Sequence, residues 1–265
     1  MTDYSMIGRT ILGSMIIYML CTACGSLHTQ EMVNQAQYHH DLAYGHFFEN
    51  QDGDAALQEI LISLKLNETS AQSHWLAGLI FSGRGASLTA IKHYRRALEI
   101  DPTLHEVQNN LGTIYLSLEQ WEKAVEVFKP LTKTVEYRTP AMSHNNLGWA
   151  YFKLGRYEEA RQQLLASTQL DPRLCPPYNN LGILYLKLND KLRAQRILQR
   201  GIKRCPTYAE PNLHLAHAIL YSAQPIAEEA LRRCISLAAD TDLGLRCEQL
   251  LISIQGRANP NRSAP

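Results

Sequence analysis

Through the middle of the chain the large apolar positions fall into a pattern that returns. Leu111-Gly112-x-x-Tyr115, Leu147-Gly148-x-x-Tyr151 and Leu181-Gly182-x-x-Tyr185 repeat one motif, and Gly148 stands 34 residues before Gly182. Large residues three or four apart share one face of a helix, so each motif predicts a helix with one buried stripe. A second series of small residues, Ala56, Ala90, Ala124, Ala160 and Ala194, keeps the same period, and one step slips in both series: Gly112 to Gly148 and Ala124 to Ala160 are 36 apart. A period of this size marks a stacked repeat architecture, in which no unit buries its apolar face without its neighbours.

The motif resembles the tetratricopeptide signature. With Gly78 at position 8, Ala90, Tyr94, Ala97 and Pro102 fall on positions 20, 24, 27 and 32 of that signature. The frame divides the chain into repeats 37–70, 71–104, 105–138, 141–174, 175–208 and 209–240, with a capping helix over 242–254 and a disordered tail over 255–265. The resemblance implies an all-α fold, a right-handed superhelical solenoid of about six helix hairpins. Gly or Ala at position 8 (Gly78, Gly112, Gly148, Gly182, Ala216) lets the two helices of a hairpin approach, and a bulky residue at Gly148 is expected to split the stack. The end repeats deviate: the first has Asn67-Glu68 where Asp-Pro would stand, and the last has a loop lengthened around Pro225 that moves its alanine to Ala230. The slip is assigned to Thr139-Pro140. Pro140 lacks a backbone N–H and steers Thr139 away from helix, so Thr139 is expected to cap a helix that opens on Pro140.

Composition narrows the function. The 265 residues carry 26 Lys and Arg against 25 Asp and Glu, so no strong field favours nucleic acid. At the start, Arg9 precedes the apolar run Ile11–Leu20, which is shorter than the ~20 residues a membrane span needs and reads as an export signal. Cys21-Thr22-Ala23-Cys24-Gly25 resembles a bacterial lipobox. That resemblance implies a signal peptide over 1–23, a lipid on Cys24, a linker over 24–36 and, from Gly25 in place of Asp, anchorage to the outer membrane facing the periplasm.

Four later cysteines are placed for hairpin bridges. Residues facing each other across an antiparallel hairpin sum to a constant: Cys175 and Cys205 centre on the Asn189-Asp190 turn, and Cys234 and Cys247 on the Asp240-Thr241 turn. An exported protein can keep such bonds; the alternative is four small buried thiols.

Candidate chemistry is sparse. His39, His40 and His46 lie in the first repeat, and His214 and His217 share a helix face at i, i+3, yet no third ligand stands at zinc spacing. No P-loop, Gly-x-Ser-x-Gly elbow or HExxH motif is present, so neither an enzyme, a cofactor nor a small-molecule substrate is expected. A binding surface is. In tetratricopeptide folds the first helices line a groove through positions 2, 5, 9, 12 and 13, which here gives Asn109, Thr113, Leu116 and Ser117, then Asn145, Trp149, Phe152 and Lys153, then Asn179, Ile183, Leu186 and Lys187. Asn109, Asn145 and Asn179 would form an amide ladder for a ligand's backbone, and Trp149 and Phe152 an apolar anchor; the alternatives are ordinary repeat composition and packing between repeats.

The stretch from Val135 to Gly182, with Tyr137, Thr139 and Pro140 opening a repeat as Tyr-x-Thr-Pro, resembles the PilF/PilW/Tgl family of type IV pilus pilotins, and the late cysteines look closest to the Tgl branch. The resemblance implies a non-enzymatic outer-membrane lipoprotein that binds the pilus secretin protein and promotes its assembly into multimers.

Overall fold

All regular structure among the described residues, 30–135 and 137–258 of the computed structural model, is helical. The helices are α1 (residues 30–48), α2 (Gly53–Leu66), α3 (Ala71–Gly83), α4 (Ser87–Ile100), α5 (His105–Ser117), α6 (Trp121–Leu131), α7 (Pro140–Lys153), α8 (Tyr157–Leu170), α9 (Pro176–Lys187), α10 (Lys191–Arg204), α11 (Glu210–Ile219), α12 (Gln224–Leu237) and α13 (Asp242–Ala258). The expected all-α, tetratricopeptide-type fold is therefore observed. The chain divides into two compact units, one ending at Ile114 and one beginning at Tyr115.

In the first unit, Ala43, Ala56, Ile60, Leu76, Ala77 and Ile80 form the core, with Phe47, Leu57, Leu64, Trp75 and Phe81 packed against it. A Cβ on Gly78 would stand 2.3 Å from Cε1 of the Tyr94 ring, so α3 and α4 lie as close as backbone and ring allow. A buried polar chain ties the first two hairpins: His40 Nδ1 lies 3.2 Å from Ser73 Oγ, which lies 3.0 Å from Ser63 Oγ.

The second unit uses the same construction. The Cβ of an alanine at Gly148 would meet Leu164 Cγ at 2.7 Å, and at Gly182 it would meet Leu198 Cδ2 at 2.3 Å. Across both units the position-20 alanines, Ala56, Ala90, Ala124, Ala160 and Ala194, are fully buried. Cys175, at the N-cap of α9, is bonded to Cys205, at the C-cap of α10, with Cα atoms 5.9 Å apart. Cys234 of α12 is bonded to the buried Cys247 of α13, with Cα atoms 6.2 Å apart.

One residue sets the turn in each of the first five hairpins. Gln51, Gly85, Glu119, Gly155 and Asn189 all have φ between 55° and 74°, and all occupy the fifteenth position of their repeat. Glycine reaches this left-handed region freely, while Gln51 and Glu119 are held there at a cost.

The joint that carries the 36-residue interval has two features, of which sequence reading found one. Pro140 is the first residue of α7, as expected, but Thr139 makes no side-chain cap; its carbonyl instead accepts a bond from Met142 N at 3.1 Å. The second feature is Pro130. It lies in the last turn of α6, where a missing N–H and a ring clash stop a helix, and α6 has 11 residues where α2, α4, α8, α10 and α12 have 14.

The chain ends differ from the expected boundaries. Residues 30–36, read as linker, are helical, and α13 continues four residues past the expected end of the cap. The signal 1–23, Cys24 and residues 259–265 lie outside the described residues. In the last repeat the loop is residues 220–223, one longer than the hairpin loops of the four repeats before it, and Pro225 lies inside the first turn of α12 rather than in the loop.

Candidate binding groove

Position 5 of the repeat is not an open ladder. Asn145 and Asn179 are buried, and Asn145 Oδ1 accepts a bond from Asn180 Nδ2 at 2.9 Å while its own Nδ2 donates to Asn146 Oδ1 at 3.2 Å. The Asn145 amide therefore straps α7 to α9, and the expectation that it faces a ligand's backbone is corrected: a carboxamide at the point where consecutive first helices approach is consumed by its neighbour. Asn179 is shut off in the same layer, its Oδ1 buried with no hydrogen-bond partner among the described residues. In the first unit Asn109 is half-buried, and the exposed Thr113 hydroxyl donates to the Asn109 carbonyl at 3.0 Å.

The aromatic anchor is present and partly open. Trp149 and Phe152 are half-buried on α7, with ring centroids 5.1 Å apart and planes 23° apart; Phe152 and Tyr157 centroids are 5.9 Å apart. Lys153 lays its ammonium over this cluster, 4.9 Å from the Trp121 ring and 5.9 Å from the Trp149 ring. Helical phase explains the grouping, since residues three apart on α7 project from one side and Trp121 and Tyr157 open the neighbouring second helices. Such a platform takes an aliphatic or aromatic side chain on the ring faces while the cation bonds to a carbonyl or carboxylate. Leu116, Ile183 and Leu186 are also half-buried, and Ser117 and Lys187 are exposed. Ile183 and Leu186 stand 34 residues after Trp149 and Phe152, so the apolar character of these positions carries into the next repeat.

Sequence reading missed a cleft in the first unit. Gln72, Trp75, Leu104, Glu106 and Val107 enclose about 240 Å³ with almost wholly apolar walls. Trp75 Nε1 is buried with no hydrogen-bond partner among the described residues, which leaves its desolvation uncompensated. The signal was legible: Trp75 holds position 5 of the second repeat, equivalent to Asn109.

The histidines do not converge on chemistry. His214 and His217 have ring centroids 6.4 Å apart. Burial, then the charges of His217 and Arg246, pushes the His214 pKa down to about 4, and burial beside Arg246 lowers that of His217. His39 Nδ1 meets Glu59 at 2.5 Å. His74 and His93, which sequence reading passed over, share an Nδ1–Nδ1 contact of 3.0 Å, and burial lowers both pKa values. No group of three or more His, Cys, Asp or Glu placed to hold a metal occurs among the described residues. Of the motif residues, Tyr137 is buried, and Thr139 is exposed at the start of α7.

Comparison with known proteins places the architecture. Models of the tetratricopeptide repeat match residues 93–126, 144–189 and 176–208. The fold is the tetratricopeptide-repeat fold. The chain is related in sequence to the lipoprotein NlpI homolog of Haemophilus influenzae, 27% identical over 187 residues that cover 69% of this chain and 56% of that protein. It is related also to the type IV pilus assembly protein PilF of Pseudomonas aeruginosa, 27% identical over 128 residues covering 48% of this chain and 50% of that one. The chain thus spans about half the length of these curated relatives. Among solved structures, PilW, described as a widely conserved type IV pilus biogenesis factor, superposes with TM-score 0.69 at 20% identity over 79% of this chain and 96% of that one. Pseudomonas aeruginosa PilF gives TM-score 0.69 at 16% identity over 84% and 99%.

Proposed function

We propose that this tetratricopeptide chain is a type IV pilus pilotin: an outer-membrane lipoprotein, anchored through Cys24 and facing the periplasm, that binds subunits of the pilus secretin and promotes their assembly into multimers. Pilus formation and pilus-dependent motility would then depend on it. The observation that carries the binding half is the half-open ring platform of Trp149 and Phe152 with Lys153 above it. The relation to PilF supports the pilus half. A lipid anchor raises the effective concentration of the groove near its client, so a weak peptide contact suffices to hold an exposed secretin segment until neighbouring subunits replace it. No covalent step is involved, and the partner is a protein rather than a nucleic acid or small molecule.

The relation to the NlpI homolog favours a second reading, since it covers more of this chain than the relation to PilF. On that reading the chain is a general lipoprotein adaptor for another envelope complex. A photocrosslinking residue in place of Phe152, activated in native membranes, separates the two. Crosslinks to secretin, and loss of heat-resistant secretin multimers in Cys24→Ala and Trp149→Ala cells, are expected. Normal multimers in a deletion strain would end the pilotin reading, and crosslinks to a non-pilus complex would establish the adaptor.

A further inference from the structure

Charge sets α10 apart from the other described helices. In 14 residues it carries Lys191, Arg193, Arg196, Arg200, Lys203 and Arg204 with no Asp or Glu, in a chain whose net charge is +1. At 100° per residue all but Lys191 fall within an arc of about 100°, along ~16 Å of helix axis. All six are exposed, because Ala194, Leu198 and Gly201 bury the opposite face. Elsewhere second helices pair arginines with acids of their own: Arg96 with Glu99, Arg161 with Glu158 and Arg232 with Glu228. On α10 the ion pair among the described residues is Arg193 with Asp190, at 3.3 Å.

This stripe borders a cleft of about 200 Å³ where α8, α9 and α10 meet, lined by Leu165, Tyr185, Arg193, Arg196, Ile197 and Arg200. Its floor is aliphatic and aromatic and its rim is guanidinium. The Arg193 guanidinium stands 5.9 Å from the Tyr185 ring and that of Arg200 5.7 Å from the Tyr178 ring, contacts that steady both groups without neutralising them.

We infer that the α10 face is a second docking surface, which holds an extended acidic segment of a partner protein with its carboxylates on Arg193, Arg196 and Arg200 and an aliphatic side chain in the cleft against Leu165 and Ile197. Guanidinium forks match carboxylates with two parallel bonds each. An extended chain covers ~16 Å in about five residues, and its alternate side chains point to opposite sides, so acids and an aliphatic residue can reach rim and floor together. A flat bilayer surface would meet the arginine tips but leave the cleft unfilled. The arginine stripe belongs to a second helix, α10, and Trp149 to a first helix, α7, so this inference does not depend on the pilus reading or on the aromatic platform.

The test is calorimetric titration with an unlabelled synthetic octapeptide of alternating Glu and Leu, against its Gln-for-Glu counterpart. The acidic peptide is expected to bind saturably and the neutral one at least about tenfold more weakly. Arg196→Glu with Arg200→Glu should weaken binding at least about tenfold, Arg196→Lys with Arg200→Lys only partly, and the exposed Lys92→Glu control less than about twofold; raising salt from about 0.05 to 0.5 M should weaken it steeply. Unchanged circular dichroism melting of each variant ties the loss to the face. Equal binding of both peptides, or no loss in the double charge reversal, would overturn the inference. So would phosphatidylglycerol vesicles that sediment the wild type but not the charge reversal and are not displaced by the acidic peptide.

Discussion

Gly182→Ala sets two known effects against each other inside one hairpin. Alanine is favoured over glycine in a helix interior by about 1 kcal/mol. The added Cβ, however, would stand 2.3, 2.5 and 2.9 Å from Cδ2, Cγ and Cδ1 of Leu198, and Leu198 is fully buried. Turning χ2 moves the two methyls but leaves Cγ in place, so α9 and α10 must separate or Leu198 must leave its rotamer. Overpacking of that kind costs ~1 to 3 kcal/mol. The net expectation is a loss of up to about 2 kcal/mol, toward the upper end because three atoms conflict. Leu198→Ala alone should cost ~2 to 5 kcal/mol through its cavity, but on that background Gly182→Ala should become neutral or stabilising by up to ~1 kcal/mol. The difference between backgrounds is a coupling of ~1 to 3 kcal/mol. Gly45→Ala in α1 is the control, since the nearest heavy atom to its Cβ is Glu49 Oε2 at 3.9 Å, and it should gain what propensity allows. Urea unfolding followed by circular dichroism gives the midpoints, and native-state hydrogen exchange of α9 and α10 amides localises the change. If Gly182→Ala raised stability as Gly45→Ala does, close helix approach would not be what places glycine at position 8.

The disulfides make unequal contributions: on loop-closure entropy the Cys175–Cys205 bond, separation 30, is worth ~3.6 kcal/mol and Cys234–Cys247, separation 13, ~2.9 kcal/mol, so the paired serine variants should fall in that order in urea midpoint, and four free thiols in unreduced protein would void the expectation. The left-handed turns predict opposite effects: Glu119→Gly should stabilise by about 1 kcal/mol and Gly155→Ala, at φ 74°, should destabilise by a similar amount, both read as melting temperature. For His214 the folded pKa of about 4 lies below the ordinary 6.5, so the unfolded chain binds the extra proton between these values; its contribution is intact above pH 6.5 and lost progressively toward pH 4. His214→Gln should flatten the stability profile over that window, and an unchanged slope would show that His214 is not held neutral.

What was legible from sequence and what was not divides along a physical line. The repeat, its small residues and its cysteine pairs were legible because they are set by period: a residue 34 positions on meets the same neighbours, and two residues equidistant from a turn face each other. The end of α6 was not, because Pro130 falls in a last turn and changes no periodic position; only its backbone chemistry, the missing N–H, shortens the helix. The same distinction separates the two halves of the candidate site. Trp149 and Phe152 stay half-buried on α7, whereas Asn145 depends on whether a neighbour reaches its amide, and Asn180, one position out of the expected ladder, does. Side-chain polarity at a groove position is thus a weak guide, since a polar group there faces a ligand only where no neighbouring side chain takes up its hydrogen bonds. By that reasoning Asn145, whose amide is taken up by Asn180 and Asn146, is the weakest of the position-5 groove residues, while Trp75, Asn109 and Asn179 each keep a buried polar atom with no hydrogen-bond partner among the described residues.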